Sequence, residues 1–89
     1  MLEKYEQALE HWLADIVANG DDDALFASGY LQGHFAVVLA ELEAESEQGT
    51  EALAIKMQHC LKQAAKELED PDYRLVEHAW LELQRRIDD

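Results

Sequence analysis

The stretch that decides the fold is LFASGYLQGHFAVVLAEL, which runs from Leu25 to Leu42. It is the least polar segment of the chain, and the spacing of its apolar residues predicts an α-helix. On a helical wheel these residues fall in three separate sectors, whereas a helix with one buried face needs only a single apolar stripe. We therefore expect this helix to be buried more deeply than a surface helix, with the rest of the chain packed around it.

Two glycines lie inside this helical pattern. Gly29 and Gly33 share one narrow stripe with Ala36 and Ala40. A glycine inside a helix costs about 1 kcal/mol relative to alanine. We expect both glycines to permit close approach by another helix. The pattern leaves open whether the helix is continuous or kinked between them.

Caps and breaks divide the remaining chain into amphipathic helices. Gly20 is expected to end the first helix in the left-handed conformation, and Asp21 or Asp22 to cap the second. Thr50 and Asp70 are the expected N-caps of the third and fourth helices, the latter followed by a proline at the first helical position. Short links between helices favour a single all-α domain, a small antiparallel four-helix bundle with a long second helix. The predicted helices span about residues 2–18, 22–45, 50–68 and 71–88.

The composition narrows the range of functions. The chain of 89 residues has 20 acidic and 7 basic residues, for a net charge of −13. Such a balance opposes binding to nucleic acid phosphates and to anionic membranes. The single cysteine, Cys60, excludes an intramolecular disulfide, and no apolar run approaches the length of a membrane span. Because the N-terminal segment also lacks the pattern of a signal peptide, we expect a soluble cytoplasmic protein.

No pattern of catalytic or metal-ligating residues stands out. Di-iron bundles use a glutamate three residues before a histidine, and none of the four histidines has one. Two histidines have a carboxylate one turn later, which is typical of solvated neighbours on a helix surface. Cys60 lies on an apolar face, where thiols usually behave as small hydrophobes. We expect no metal, no cofactor and no enzymatic activity. The four histidines are His11, His34, His59 and His78.

A resemblance to a known family covers most of the chain. The run DDALFASGYLQGH from Asp22 to His34, followed by AELE from Ala40 to Glu43, resembles the YfcL family of small gammaproteobacterial proteins. The LFASGYLxGH core is the most distinctive part of the similarity. The resemblance implies that the segment around Gly29 and His34 is the family's signature, and it carries over no catalytic residue.

These features support three hypotheses about function. The first is a non-catalytic protein-interaction module that binds an unknown protein or forms a homodimer, because the central helix has more apolar circumference than three neighbours must cover. The second is a small-ligand or metal site at an edge formed by Tyr30 and His34 with Glu41. The third is an acidic decoy for a nucleic-acid-binding protein. The candidate signature or interaction residues are Gly29, Tyr30, Gly33, His34, Phe35 and Glu41.

Overall fold

The computed structural model describes residues 2–88, which form four α-helices and no strand. The helices are α1 (Leu2–Asn19), α2 (Asp22–Glu43), α3 (Thr50–Glu67) and α4 (Asp70–Asp88). The prediction of an all-α, four-helix bundle-like domain is therefore confirmed. None of these four helices combines the length and the apolar character that crossing a bilayer requires.

The bundle is flattened. Within residues 2–88, α2 and α4 each contact every other helix, whereas α1 and α3 do not contact each other. The domain measures 36 × 30 × 18 Å along its principal axes. Helix α2 thus packs on α4, with α1 on one side of this pair and α3 on the other. One broad side of α2 therefore has no helix over it.

The core lies where α2 and α4 meet. Phe35, Val38 and Leu42 of α2 are completely buried, and Trp12 and Met57 contribute from the two flanking helices. The buried residues of α2 lie in the sector of its helical wheel that carries the larger apolar side chains. Full burial of such a side chain stabilises the fold by about 1.5–3 kcal/mol. The core of this domain is therefore completed by one chain.

The small-residue stripe of α2 does not face the core. Gly29 and Gly33 are exposed, and a Cβ atom built on either residue would have no neighbouring side chain within 4 Å. No helix within residues 2–88 approaches either glycine, so the expected close approach of another helix does not occur within the chain. Helix α2 nevertheless runs without interruption from Asp22 to Glu43, and half of its circumference is exposed. The three apolar sectors therefore do not mean burial on all sides.

The α1–α2 link requires Gly20, but not because of the left-handed conformation expected there. No glycine among the described residues has a positive φ, so the left-handed conformation predicted for Gly20 is wrong. Its N–H instead donates to the Ile16 carbonyl oxygen at 2.7 Å. A Cβ at this position would lie 2.6 Å from that oxygen, which is too close for any side chain. Asp21 caps α2, accepting a hydrogen bond from the Ala24 amide at 2.9 Å.

The other two caps differ from the expectation. Gly49, not Thr50, is the N-cap of α3, and Thr50 is its first helical residue. Asp70 lies inside α4, since the carbonyl of Glu69 accepts the first helical hydrogen bond, from the Tyr73 amide at 2.9 Å. Both helices therefore start without the predicted aspartate or threonine side chain in the N-cap position.

Candidate functional site

The six candidate residues of α2 divide among three environments. Phe35 is 0% exposed and lies in the core. Gly29 and Gly33 lie on the exposed side of the helix. Tyr30 and His34 are half-buried on the side that faces α3, and the exposed Glu41 lies two turns further along that side. The two glycines therefore lie on an outer surface, and Tyr30, His34 and Glu41 lie on a separate polar edge. The sequence pattern alone had grouped all of them in one segment.

The outer face of α2 is the half of the helix that no other helix covers. Apart from Gln32, its side chains are small or apolar, and Val37 is 59% and Phe26 41% exposed. Not one Asp, Glu, Lys or Arg occurs between residues 24 and 40, and carboxylates return only at the two ends of the helix. In a chain with a net charge of −13 this is an uncharged strip. The face comprises Leu25, Phe26, Gly29, Gln32, Gly33, Ala36, Val37 and Ala40.

A hydrogen bond fixes the edge between α2 and α3. The Tyr30 hydroxyl donates to Glu67 Oε2 at 2.9 Å, and Gln63 Nε2 donates to Oε1 of the same carboxylate at 3.3 Å. Hydrogen bonds from Tyr30 and Gln63 lower the pKa of Glu67. Burial, and then the Glu67 carboxylate, raise the pKa of Tyr30. The phenol therefore stays protonated and the carboxylate ionised at neutral pH.

His34 packs directly on Tyr30. The two ring centroids are 4.9 Å apart and the ring planes are tilted by 46°. Beyond His34, a groove of about 350 Å³ opens between α2 and α3. The histidine thus lies between the tyrosine and an open groove. The groove residues are His34, Val37, Glu41, Lys56, His59, Cys60 and Gln63.

Charged groups close one end of this α2–α3 groove. Lys56 Nζ lies 2.7 Å from Glu45 Oε2 and 4.0 Å from Glu41 Oε1, so the lysine bridges the end of α2. Cys60 is half-buried nearby, and burial, followed by the Glu41 charge, raises its thiol pKa. A thiol held in its protonated form is a weak nucleophile. Across residues 2–88 no three His, Cys, Asp or Glu side chains are grouped to hold a metal ion.

Sequence reasoning placed Tyr30, His34 and Glu41 on one edge but missed the residues that α3 contributes. Glu67 and Cys60 are far from α2 in the sequence, and no local pattern marks them as its neighbours. The available signal was the antiparallel arrangement itself, which sets residues near Tyr30 against the C-terminal part of α3. Naming the individual contacts would have required the register of α3 against α2, which the sequence does not provide.

Comparisons with known proteins identify the family of this chain. The family model described as "YfcL protein" matches residues 3–85. The chain is 34% identical over 82 residues to "Uncharacterized protein YfcL" of Escherichia coli strain K12, a match that covers 90% of this chain and 89% of that protein. No solved structure gives a significant match. The family match spans all four helices and includes the α2 segment with both glycines, so the chain belongs to the YfcL family.

Proposed function

We propose that this chain is a non-catalytic protein-interaction module, and that the outer face of α2 binds the same face of a second copy. The observation that carries the proposal is the position of Gly29 and Gly33. Both lie inside a helix, both are exposed, and neither has a neighbour within its own chain that requires a glycine.

The energetics of the helix support an intermolecular role for these glycines. Each costs the helix about 1 kcal/mol relative to alanine. A small domain has a net stability of only about 5–15 kcal/mol, so this cost is appreciable. A second helix that crosses at the glycines would gain close backbone contact. Phe26 and Val37, which line one flank of the stripe, would then lose their exposure to water.

The charge distribution supports a second copy as the partner. Two chains with a net charge of −13 repel each other over most of their surfaces. The outer face of α2 is where they can approach without placing carboxylates against each other at the centre of the contact. Asp22 and Asp23 at one end, and Glu41 and Glu43 at the other, would lie at the rim of the interface. Rim charges are partly screened by salt.

Sedimentation velocity over a range of protein concentrations tests this proposal. We expect a dimer at moderate ionic strength, and we expect Val37→Glu to shift the protein towards monomer, because it places a charge in the contact. The matched control is Val17→Glu on α1, where the valine is 76% exposed and outside the face. This control changes the net charge equally and should remain dimeric.

A wild-type protein that is monomeric at every concentration would contradict self-association. Equal weakening by the α1 and α2 variants would also contradict it, since the effect would then come from net charge and not from the face. Circular dichroism of both variants verifies that each retains its helical content.

A second candidate function is the binding of a small ligand in the α2–α3 groove. Its volume of about 350 Å³ falls in the range of small-molecule sites, and it offers His34 and His59 as polar groups beside the apolar Val37. A thermal-shift screen with metabolites and divalent metals tests this function. A ligand whose stabilisation is lost in His34→Ala but kept in His78→Ala, an exposed histidine of α4, would support it. A screen without any response would count against it.

A further inference from the structure

A second cleft lies at the end of the bundle that holds the α1–α2 link, next to the rim of the outer face of α2. It is bounded by α1, α2 and α4 and has a volume of about 290 Å³. Its apolar walls consist of Trp12, Ile16, Leu75 and three alanines from α2 and α4. Trp12 is almost completely buried and lines the cleft.

The polar residues of this cleft are nearly all acidic. Asp21, Asp23 and Glu82 line it together with His78, and no lysine or arginine of residues 2–88 does. Two contacts hold the Glu82 carboxylate in place. Its Oε1 lies 3.0 Å from His78 Nε2, and its Oε2 accepts a long hydrogen bond of 3.5 Å from Trp12 Nε1. Asp21 is fixed at the start of α2 by its capping bond to the Ala24 amide.

We propose that this cleft binds a small organic cation with a hydrocarbon body, namely a free primary alkylammonium ion. The apolar walls would receive the hydrocarbon chain, whose removal from water is favourable in proportion to the area buried. The three carboxylates would face the ammonium group. A carboxylate or phosphate ligand of the same size would place its negative charge beside Asp21, Asp23 and Glu82.

The proposal is tested by NMR titration with n-hexylammonium at pH 8, at which histidine side chains ordinarily carry no charge. The Trp12 indole N–H signal reports on the cleft, and that of Trp80, which does not line it, is the internal reference. We expect hexylammonium to bind about fivefold more tightly than n-hexanol, because modest charge attraction adds to the same apolar contact. We expect n-hexanesulfonate to leave the Trp12 signal unchanged.

Variants separate the cleft from general attraction to an acidic protein. Glu82→Gln should weaken hexylammonium binding, whereas Glu47→Gln in the α2–α3 link removes one charge far from the cleft and should not. Equal binding of hexanol and hexylammonium would overturn the proposal, and so would equal weakening by Glu47→Gln. Tighter binding of Nα-acetyl-lysine amide than of hexylammonium would also overturn it, by assigning the cleft to a lysine side chain of a protein. Glu82 and Glu47 both lie outside the outer face of α2, so the effects of these two variants are separate from dimerisation.

Discussion

At the scale of single residues, glycine has two opposite roles in this domain. Gly20 is required by the fold, because the Ile16 carbonyl oxygen occupies the space that a Cβ would need. Gly29 and Gly33 face open space and weaken the helix that contains them. The sequence shows four glycines of equal appearance. Only the positions of neighbouring atoms distinguish a glycine that the monomer needs from one that it does not.

The same substitution should therefore have opposite effects at these positions. Gly33→Ala should raise the free energy of unfolding by about 1 kcal/mol, because it improves helix propensity without a clash. Gly20→Ala should lower it, since the link must open to admit the methyl group. Urea unfolding at a concentration where the protein is monomeric measures both changes. A destabilising Gly33→Ala would mean that a neighbour does approach the outer face of α2 within one chain.

The Tyr30–Glu67 hydrogen bond should stabilise the fold only within a limited range of pH. The pKa of Glu67 is lowered from its usual 4.5, so its contribution to stability is present above that value and is lost as pH falls through the folded-state pKa. The pKa of Tyr30 is raised from 10.0, so its contribution is present below pH 10 and is lost as pH rises through the raised pKa. The contact is therefore fully effective between roughly pH 4.5 and 10.

Tyr30→Phe tests this contact directly. We expect the pKa of Glu67 to return part of the way to 4.5, because the bond from Gln63 remains. Carbon-detected NMR titration of the glutamate side chains measures the change. Tyr73→Phe is the control, since the Tyr73 hydroxyl donates to Glu77 at 3.3 Å and lies outside this contact. An unchanged Glu67 pKa in Tyr30→Phe would show that the hydrogen bond does not form in solution.

At the scale of elements, the sequence predicted the existence and order of the helices better than their orientation. Apolar periodicity and turn residues identified four helices, and α2 ends at Glu43, two residues before its predicted end. The orientation of α2 could not be predicted, because three sectors of its wheel are apolar. The structure buries the sector with Leu31 and Phe35, which offers more apolar area than the glycine stripe. The α3 partners of Tyr30 and His34 could not be predicted either, because predicting them requires the orientation of α2.

Gln48, in the α2–α3 link, caps the C-terminal end of α2. Gln48 Nε2 donates to the carbonyl oxygens of Leu42 at 2.9 Å and Glu45 at 3.2 Å, and so covers the free end of α2. The backbone carbonyl oxygen of Gln48 accepts a hydrogen bond from the Tyr5 hydroxyl at 2.8 Å. Gln48→Ala should lower the free energy of unfolding by about 1 kcal/mol, since Leu42 and Glu45 lose their side-chain donor. Glu47→Ala in the same link should have little effect, and equal effects of the two would contradict this role for Gln48.

At the scale of the whole molecule, charge and apolar surface act in opposite directions. A net charge of −13 favours separate chains and opposes the compact state. The outer face of α2 favours association, because exposed Phe26 and Val37 gain from leaving water. The balance between the two depends on ionic strength. Salt therefore distinguishes the hypotheses about function at this scale.

Raising NaCl from about 0.05 M to 0.5 M shortens the range of charge repulsion from roughly 14 Å to 4 Å. If two copies associate through the uncharged face of α2, the dimer fraction should rise with salt, and the midpoint of thermal unfolding should rise with it. An acidic decoy that attracts a basic partner predicts the reverse, because salt weakens attraction between opposite charges. Sedimentation velocity of the wild-type chain and of Val37→Glu across this range measures the effect. A dimer that dissociates as salt increases would mean that ion pairs, and not the outer face of α2, hold the two copies together.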